Sequence, residues 1–129
     1  MDDRTIEILK RFEASWNQTK AQFDELIDLD ERFKRLIPVR EFISQLELAG
    51  GKKSFRLGMG VGQTLMICRS VDGGLRLDQK YIKIEVIGQN DFEVRLRDGA
   101  KTYREYRIKD LKDAHLTKLL QTLKSTLAD

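Results

Sequence analysis

The spacing of apolar residues changes twice along this chain, and the change limits the folds that the chain can adopt. Up to residue 50 apolar side chains recur every three or four residues, which is the period of one face of a helix. From Lys52 to Ile108 they recur every second residue, which is typical of strands with one buried face. After Asp110 the helical period returns. The order of helices, strands and helix predicts an α+β fold.

Two helices are predicted before residue 51. Asp2 or Asp3 can cap the first helix by accepting hydrogen bonds from free backbone N–H groups. Pro38 suits the first turn of a second helix, because its φ is already helical and it lacks an N–H. Gly50 and Gly51 end that helix, since glycine adopts the left-handed conformation easily. The two apolar faces comprise Leu9, Phe12, Trp16, Phe23, Leu26, Phe33 and Ile37, and then Val39, Phe42, Ile43 and Leu46.

The first apolar stripe is long for a chain of 129 residues. A continuous helix over its roughly 29 residues would measure about 43 Å, whereas a domain of this size has a radius of gyration of about 14 Å. Asp28 or Asp30 can cap a new turn. The helix therefore either breaks near Asp30 and folds back, or pairs with another chain. The second alternative makes four residues candidates for self-association, namely Leu9, Phe12, Trp16 and Phe23.

Four or five strands are predicted between residues 52 and 108. In the first strand apolar residues alternate with small or polar ones, the apolar set being Phe55, Leu57, Met59 and Val61. Further strand segments follow at 64–71, 75–87, 92–96 and 102–108, separated by turn residues at 72–74, 89–91 and 98–99. Consecutive short strands joined by tight turns pair antiparallel.

A third helix is predicted at the end of the chain. Its apolar residues follow the spacing of a buried helix face and comprise Leu116, Leu119, Leu120, Leu123 and Leu127. Together the elements predict one two-layer α+β domain over residues 1–129, with the helices on one face of an antiparallel sheet. Its parts are a helical segment over 1–50, a sheet over 52–108 and a C-terminal helix over 110–128.

The composition excludes several classes of protein. The chain has one Cys and one His, which excludes Cys-rich zinc sites and clusters of His. A lone Cys fits a reducing cytoplasm, and no apolar run is long enough to cross a membrane. No residue pattern brings Cys68 and His115 together, and no Ser/His/Asp signature is present. We therefore expect a cytoplasmic protein that is not an enzyme and has no metal, cofactor or membrane partner.

Two weaker motifs have structural interpretations. Glycines at 58, 60 and 62 resemble a phosphate-binding loop, but such a loop leads into a helix, and here another strand follows. We interpret them as a glycine-kinked strand. Asp24, Asp28 and Glu31 share one helix side and could hold a divalent ion. The adjacent Arg32 and Arg35 favour a salt-bridged helix face instead.

Charge is distributed unevenly along the chain. Residues 1–51 contain 8 Lys and Arg against 11 Asp and Glu, a balance of −3. Residues 52–112 contain 14 against 8, a balance of +6, and residues 113–129 contain 2 of each sign. The positive charge therefore falls on the segment predicted to form the sheet, which indicates a surface that binds an acidic partner.

The outward side chains of the predicted sheet carry both signs of charge. If Phe92, Val94 and Leu96 point inward, then Arg95 and Arg97 point outward. Glutamates at 85, 93 and 105 alternate with these cations, so the middle of the face is expected to be a solvated lattice of salt bridges. A change of one residue in the last hairpin would reverse which residues of 102–108 face outward. Candidate partner-binding or nucleic-acid-binding residues are Lys52, Lys53, Lys83, Arg95, Arg97, Lys101, Tyr103, Arg104 and Arg107.

Two functions follow from these patterns. The first is a binding or adaptor domain that engages a protein partner, a second copy of the chain (a dimer) being one such partner. The alternative is a nucleic-acid-binding domain, in which cations of the sheet face and hairpin tip hold phosphates while exposed tyrosines stack on bases. In both cases the uncompensated cations are expected at the edges of the face, at Lys52 and Lys53 and around Arg97, Lys101 and Arg104.

Overall fold

The computed structural model describes residues 2–71, 79–126 and 128, and it confirms the α+β class. The helices in these residues are α1 (Asp3–Leu29), α2 (Ile37–Leu48) and α3 (Ala114–Lys124). The strands are β1 (Arg56–Gly60), β2 (Thr64–Cys68), β3 (Lys80–Gly88), β4 (Asp91–Asp98) and β5 (Lys101–Ile108). Short 3-10 helices span Glu31–Leu36 and Gly51–Lys53. The predicted turn at 72–74, the start of the predicted third strand at 75–78, and Leu127 lie outside the described residues.

The long apolar stripe breaks at Asp30, which confirms the first of the two alternatives. The Asp30 backbone is extended (φ −155°, ψ 144°), and its carboxylate accepts a hydrogen bond from the Arg32 N–H at 3.0 Å. This side chain therefore ends α1 and caps the 3-10 helix that follows. The chain then folds back, so that Lys20 of α1 pairs with Glu47 of α2 at 2.8 Å.

The predicted acidic side is divided between α1, which contains Asp24 and Asp28, and the 3-10 helix that begins at Glu31, and its partners differ from the expected ones. Asp24 pairs with Arg40 of α2 at 2.8 Å, and Glu31 pairs with Lys34 at 3.1 Å. The expected partners of these carboxylates, Arg32 and Arg35, lie beyond the break at Asp30 and so no longer continue the face of α1. The expected pairing with Arg32 and Arg35 is therefore wrong, although two of the three carboxylates, Asp24 and Glu31, do form salt bridges with other cations. The described residues contain no group of His, Cys, Asp and Glu that could hold a metal ion.

The five strands form one antiparallel sheet in the order β1-β2-β3-β4-β5. Strands β1 and β5 are therefore its two edges. Side chains of one parity, such as Leu57, Ile67, Ile82 and Leu96, are buried and face the helices. The turns between β1 and β2 and between β3 and β4 lie at one end of the sheet, and the turn between β4 and β5 lies at the other.

The aromatic stripe of α1 belongs to the core. Phe12, Trp16 and Phe23 are at most 1% exposed, and Leu9 is half-buried. The Trp16 indole N–H donates to the Phe55 carbonyl at 2.8 Å. Leucines of the α3 stripe, such as Leu116, join the same cluster of buried side chains. The expectation that the stripe is a self-association surface is therefore corrected, because these side chains are covered by their own chain.

The glycine motif lies in β1 and in the turn that follows it. A Cβ added at Gly60 would lie 2.6 Å from the Thr64 hydroxyl and 3.2 Å from the Met66 sulfur, so neighbouring side chains occupy the space. No helix follows these glycines, and the interpretation as a strand rather than a phosphate loop holds. Val61, expected in the alternating apolar set, lies in the turn and is 96% exposed.

This crowding makes Gly60→Ala a destabilising change. We expect the free energy of unfolding to fall by about 1–3 kcal/mol, because the added methyl group must displace Thr64 or Met66. Gly88→Ala is the matched control in a strand, since its nearest neighbour would be at 3.9 Å. Urea unfolding of both variants measures the difference. Equal losses in the two variants would contradict the close packing over Gly60.

Candidate binding surface

The face of the sheet that points away from the helices carries rows of charged side chains. The register aligns Lys83, Arg95 and Glu105 in one row across β3, β4 and β5. The next row contains Glu85, Glu93 and Arg107. The predicted parity of these six residues is therefore the one observed. Between β4 and β5 each row places a cation opposite a carboxylate, whereas between β3 and β4 it places Lys83 opposite Arg95 and Glu85 opposite Glu93.

The middle of this face is neutralised by ion pairs. Arg95 contacts Glu93 and also pairs with Glu105, with 3.1 Å between Nε and Oε1. The hydrogen bond with Glu105 raises the pKa of the Arg95 guanidinium. Arg107 forms two hydrogen bonds of 2.8 Å with the two carboxylate oxygens of Asp91. Arg95 and Arg107, both candidate binding residues, are thus occupied by carboxylates of their own chain.

The pairing of Asp91 makes a prediction about acid stability. Arg107, with Lys109 at 3.4 Å, lowers the pKa of Asp91 from 3.8 to about 2. A carboxylate with a lowered pKa stabilises the fold above its unfolded pKa, and this contribution disappears as the pH falls through the folded value. We expect Asp91→Asn to lose less stability than the natural chain between pH 4 and pH 2, measured by urea unfolding at each pH. Arg107→Gln should act in the same way. If both variants lose as much stability as the natural chain between pH 4 and pH 2, the pairing is contradicted.

Cations at the β4–β5 turn are arranged differently. We name the group of Lys80, Arg97, Lys101, Tyr103 and Arg104 the hairpin-tip cluster; it joins the start of β3, the end of β4 and the start of β5. In the part of the chain that the structure describes, none of its four cations forms a salt bridge with a carboxylate. The aligned carboxylate is Asp98, which lies opposite Lys80 and Lys101 in the register.

Arg97 is held in place by neutral acceptors. Its guanidinium donates to the Thr102 hydroxyl at 3.2 Å and to the Ala100 carbonyl at 2.8 Å. The Arg97 Nε is buried and has no hydrogen-bond partner among the described residues. The positive charge of Arg97 is therefore fixed at the tip of the hairpin, with no salt bridge to a carboxylate of residues 2–71 or 79–126.

A β-bulge changes the position of Tyr103. The register passes from Arg97 opposite Thr102 to Leu96 opposite Arg104, which leaves Tyr103 as the extra residue. Lys80 and Arg104 lie 5.6 and 5.0 Å from the centre of its ring, and both have the strand parity of side chains that face the helices. The bulge therefore breaks the regular alternation on which the expected orientation of Tyr103, on the face of Arg95 and Arg97, was based.

The remaining candidates lie away from this cluster. Lys52 was expected to be uncompensated, but it pairs with Glu47 at 3.1 Å and approaches Glu13 at 3.9 Å, so it links the 3-10 helix to α1 and α2. Lys53 is exposed near the β1 edge, at the opposite side of the sheet from β5. Lys83 is half-buried in the row of Arg95. The structure thus places four of the nine candidates around the β4–β5 turn, and adds Lys80. Sequence reasoning missed Lys80 because it precedes the clear part of the third strand.

A groove of about 810 Å³ was also not predicted. It lies between α2, the β3–β4 turn and the connection from β5 to α3, and its lining includes Phe42, Gln45, Asn90 and Lys109. Charges of both signs, Glu41 and Asp110 with Lys109 and Lys112, line it. These residues come from three distant segments, so no local sequence pattern could have identified it.

The two residues considered for nucleophilic chemistry have separate surroundings. Cys68 is buried and lies 3.2 Å from the Ser70 hydroxyl. His115 is exposed on α3, where its Nδ1 contacts Asp113 at 2.8 Å and its ring lies 4.5 Å from that of Tyr106. Neither residue therefore has the other as a partner for catalysis.

Comparisons of the whole chain complete this picture. No model of a known family, no curated protein and no solved structure matches it. Of the helices in the described residues, none is both long enough and apolar enough to cross a membrane. What the chain binds is therefore inferred from the charge and geometry of its surface.

Proposed function

We propose that this protein is a non-enzymatic binding or adaptor domain that engages an acidic segment of a protein partner at the hairpin-tip cluster. The observation that carries the proposal is the contrast between two groups of cations on one sheet. Arg95 and Arg107 are paired with carboxylates of their own chain, whereas the four cations of the cluster have none among the described residues. A partner's carboxylates can supply the missing charge through charge-assisted hydrogen bonds.

A protein partner is favoured over a nucleic acid by the surroundings of the tyrosines. Tyr81 is 7% exposed, and the ring of Tyr106 is tilted against that of His115. Tyr103 is exposed, but Lys80 and Arg104 already contact its ring. Base stacking needs an open aromatic face, which leaves Tyr103 alone among the three tyrosines, and its ring already has two cations beside it. The neutralised rows also leave no continuous basic track for a phosphate backbone.

The proposed contact is weak and sensitive to salt. Exposed ion pairs contribute about 0.2–1 kcal/mol each, because water and counterions screen them. Several such pairs at one hairpin tip give a transient complex. In such a complex the complementary charges mainly raise the association rate and select against basic partners. The single cysteine fits the cytoplasm as the compartment in which this binding occurs.

The proposal is tested with a labelled peptide of about eight residues, the length of a typical strand, in which Val and Glu alternate. Fluorescence anisotropy follows its binding from about 20 mM to about 500 mM NaCl, over which the screening length falls from roughly 20 Å to 4 Å. We expect affinity to fall steadily with salt, and a peptide of alternating Val and Lys not to bind. No binding of the Val-Glu peptide at low salt would refute the proposal.

A single-stranded oligonucleotide of similar charge is the third probe. We expect it to bind no more tightly than the Val-Glu peptide at the same salt concentration. An oligonucleotide that binds while the peptide does not would replace the proposal with the nucleic-acid alternative.

A further inference from the structure

The two edges of the sheet differ in what their backbones contact. At the β1 edge, side chains of α1 form hydrogen bonds with the backbone groups that point away from β2. The Trp16 indole donates to the Phe55 carbonyl at 2.8 Å, and the Ser15 hydroxyl accepts the Leu57 N–H at 3.1 Å. These side chains take the place of a neighbouring strand, so β1 has no free groups at these positions for another chain.

The β5 edge is open by comparison. Side chains from Lys101 to Glu105 are exposed, and β5 pairs with β4 alone in the sheet order. Among the described residues, side chains give the β5 backbone a single hydrogen bond, from Arg104 to the neighbouring Tyr103 carbonyl at 3.3 Å. An edge strand with unpaired N–H and C=O groups is a template for an added strand.

We infer that the acidic segment of the partner binds as a sixth strand along β5, an inference that rests on the proposed function. The bulge at Tyr103 limits regular pairing to 104–108. An added strand along this stretch has one end at the hairpin tip. Its side chains there lie beside Lys101 and Arg104, which have no carboxylate partner in the described chain.

Charge decides between a foreign strand and a second copy of β5. The segment from Lys101 to Ile108 carries three cations and one carboxylate, a balance of +2. Two copies side by side would bring these like charges together, which opposes pairing. Glu105 already pairs with Arg95, so it is not free to compensate a second copy. An acidic extended segment matches the edge in both its backbone and its charge.

The test uses two N-methylated forms of the Val-Glu peptide. In an extended strand the Val and Glu amides point to opposite sides, so methyl groups on one set block pairing with β5 and those on the other set face water. We expect one form to lose at least about tenfold in affinity while the other binds like the parent, because several backbone hydrogen bonds of about 1 kcal/mol each are lost.

Amide hydrogen exchange gives a second readout on the protein itself. The parent peptide should slow exchange of outward amides within 104–108 and leave the Leu57 amide on the β1 edge unchanged. If both methylated forms bind like the parent and β5 is not protected, the strand inference fails while the proposed function stands. Equal loss in both forms also overturns it. If the parent peptide does not bind at all, the proposed function itself has failed.

Discussion

Trp16→Ala is expected to cause the largest loss of stability of any single change in this chain, about 3–5 kcal/mol. The side chain is fully buried among the residues that join α1 to the sheet, and its indole N–H satisfies the Phe55 carbonyl. Removing it leaves a cavity and an unpaired carbonyl together. Because the free energy of unfolding of a single domain is about 5–15 kcal/mol, the variant will be marginally folded. Urea unfolding followed by circular dichroism measures the loss.

Trp16→Phe separates the two contributions. Phe fills much of the same volume but cannot donate to Phe55, so we expect a smaller loss of about 1–3 kcal/mol for the unsatisfied carbonyl.

Light scattering distinguishes this account from the alternative in which the α1 stripe binds a second chain. A folded Trp16→Ala variant whose stability is unchanged but whose oligomeric state has altered would contradict the assignment of Trp16 to the core.

The second large effect is on binding. Changing Arg97, Lys101 and Arg104 together to Glu should abolish binding of the Val-Glu peptide, with affinity falling roughly a hundredfold or more. Each substitution removes a favourable charge and introduces a repulsive one, which at about 1 kcal/mol per position gives this factor. Anisotropy titration at low salt measures the affinity, and circular dichroism verifies that the variant is folded.

The matched control changes the net charge by the same amount at the other end of the sheet. Arg32, Lys34 and Lys112 are exposed. Arg32 and Lys34 belong to the 3-10 helix Glu31–Leu36. This helix contacts the β1–β2 turn through a hydrogen bond of 3.2 Å between Arg35 and Gln63. Lys112 lines the groove beside Asn90 in the β3–β4 turn. Changing these three to Glu should weaken binding only slightly, through the overall field. Equal losses in the two triple variants would mean that net charge, and not the hairpin tip, determines binding.

Local patterns in the sequence were sufficient to predict the fold. The change of apolar period at Lys52 marks the start of the sheet segment, and the polar Asp30 within the stripe marks the break between α1 and the 3-10 helix. These features depend on neighbouring residues alone, because a cap or a strand face is determined within a few positions. The row of Lys83, Arg95 and Glu105 followed from the same parity.

The binding surface could be predicted only in part, because it depends on residues that are distant in sequence. Arg97, Lys101 and Arg104 were identified from the hairpin turn. The position of Tyr103 was not, since a one-residue bulge in β5 interrupts the alternation of side chains at this residue. The pairing of Lys52 with Glu47 depends on how the 3-10 helix packs against α2, for which the sequence holds no local signal.

The most direct measurement is a map of the Val-Glu peptide on the protein by ¹⁵N–¹H NMR at low and at high salt. We predict that the shifted amides lie at 80, at 97–104 and along the following residues of β5, and that the shifts disappear at high salt. Shifts centred on Arg95 and Glu93, or on the groove residues Phe42 and Asn90, would contradict binding at the hairpin tip.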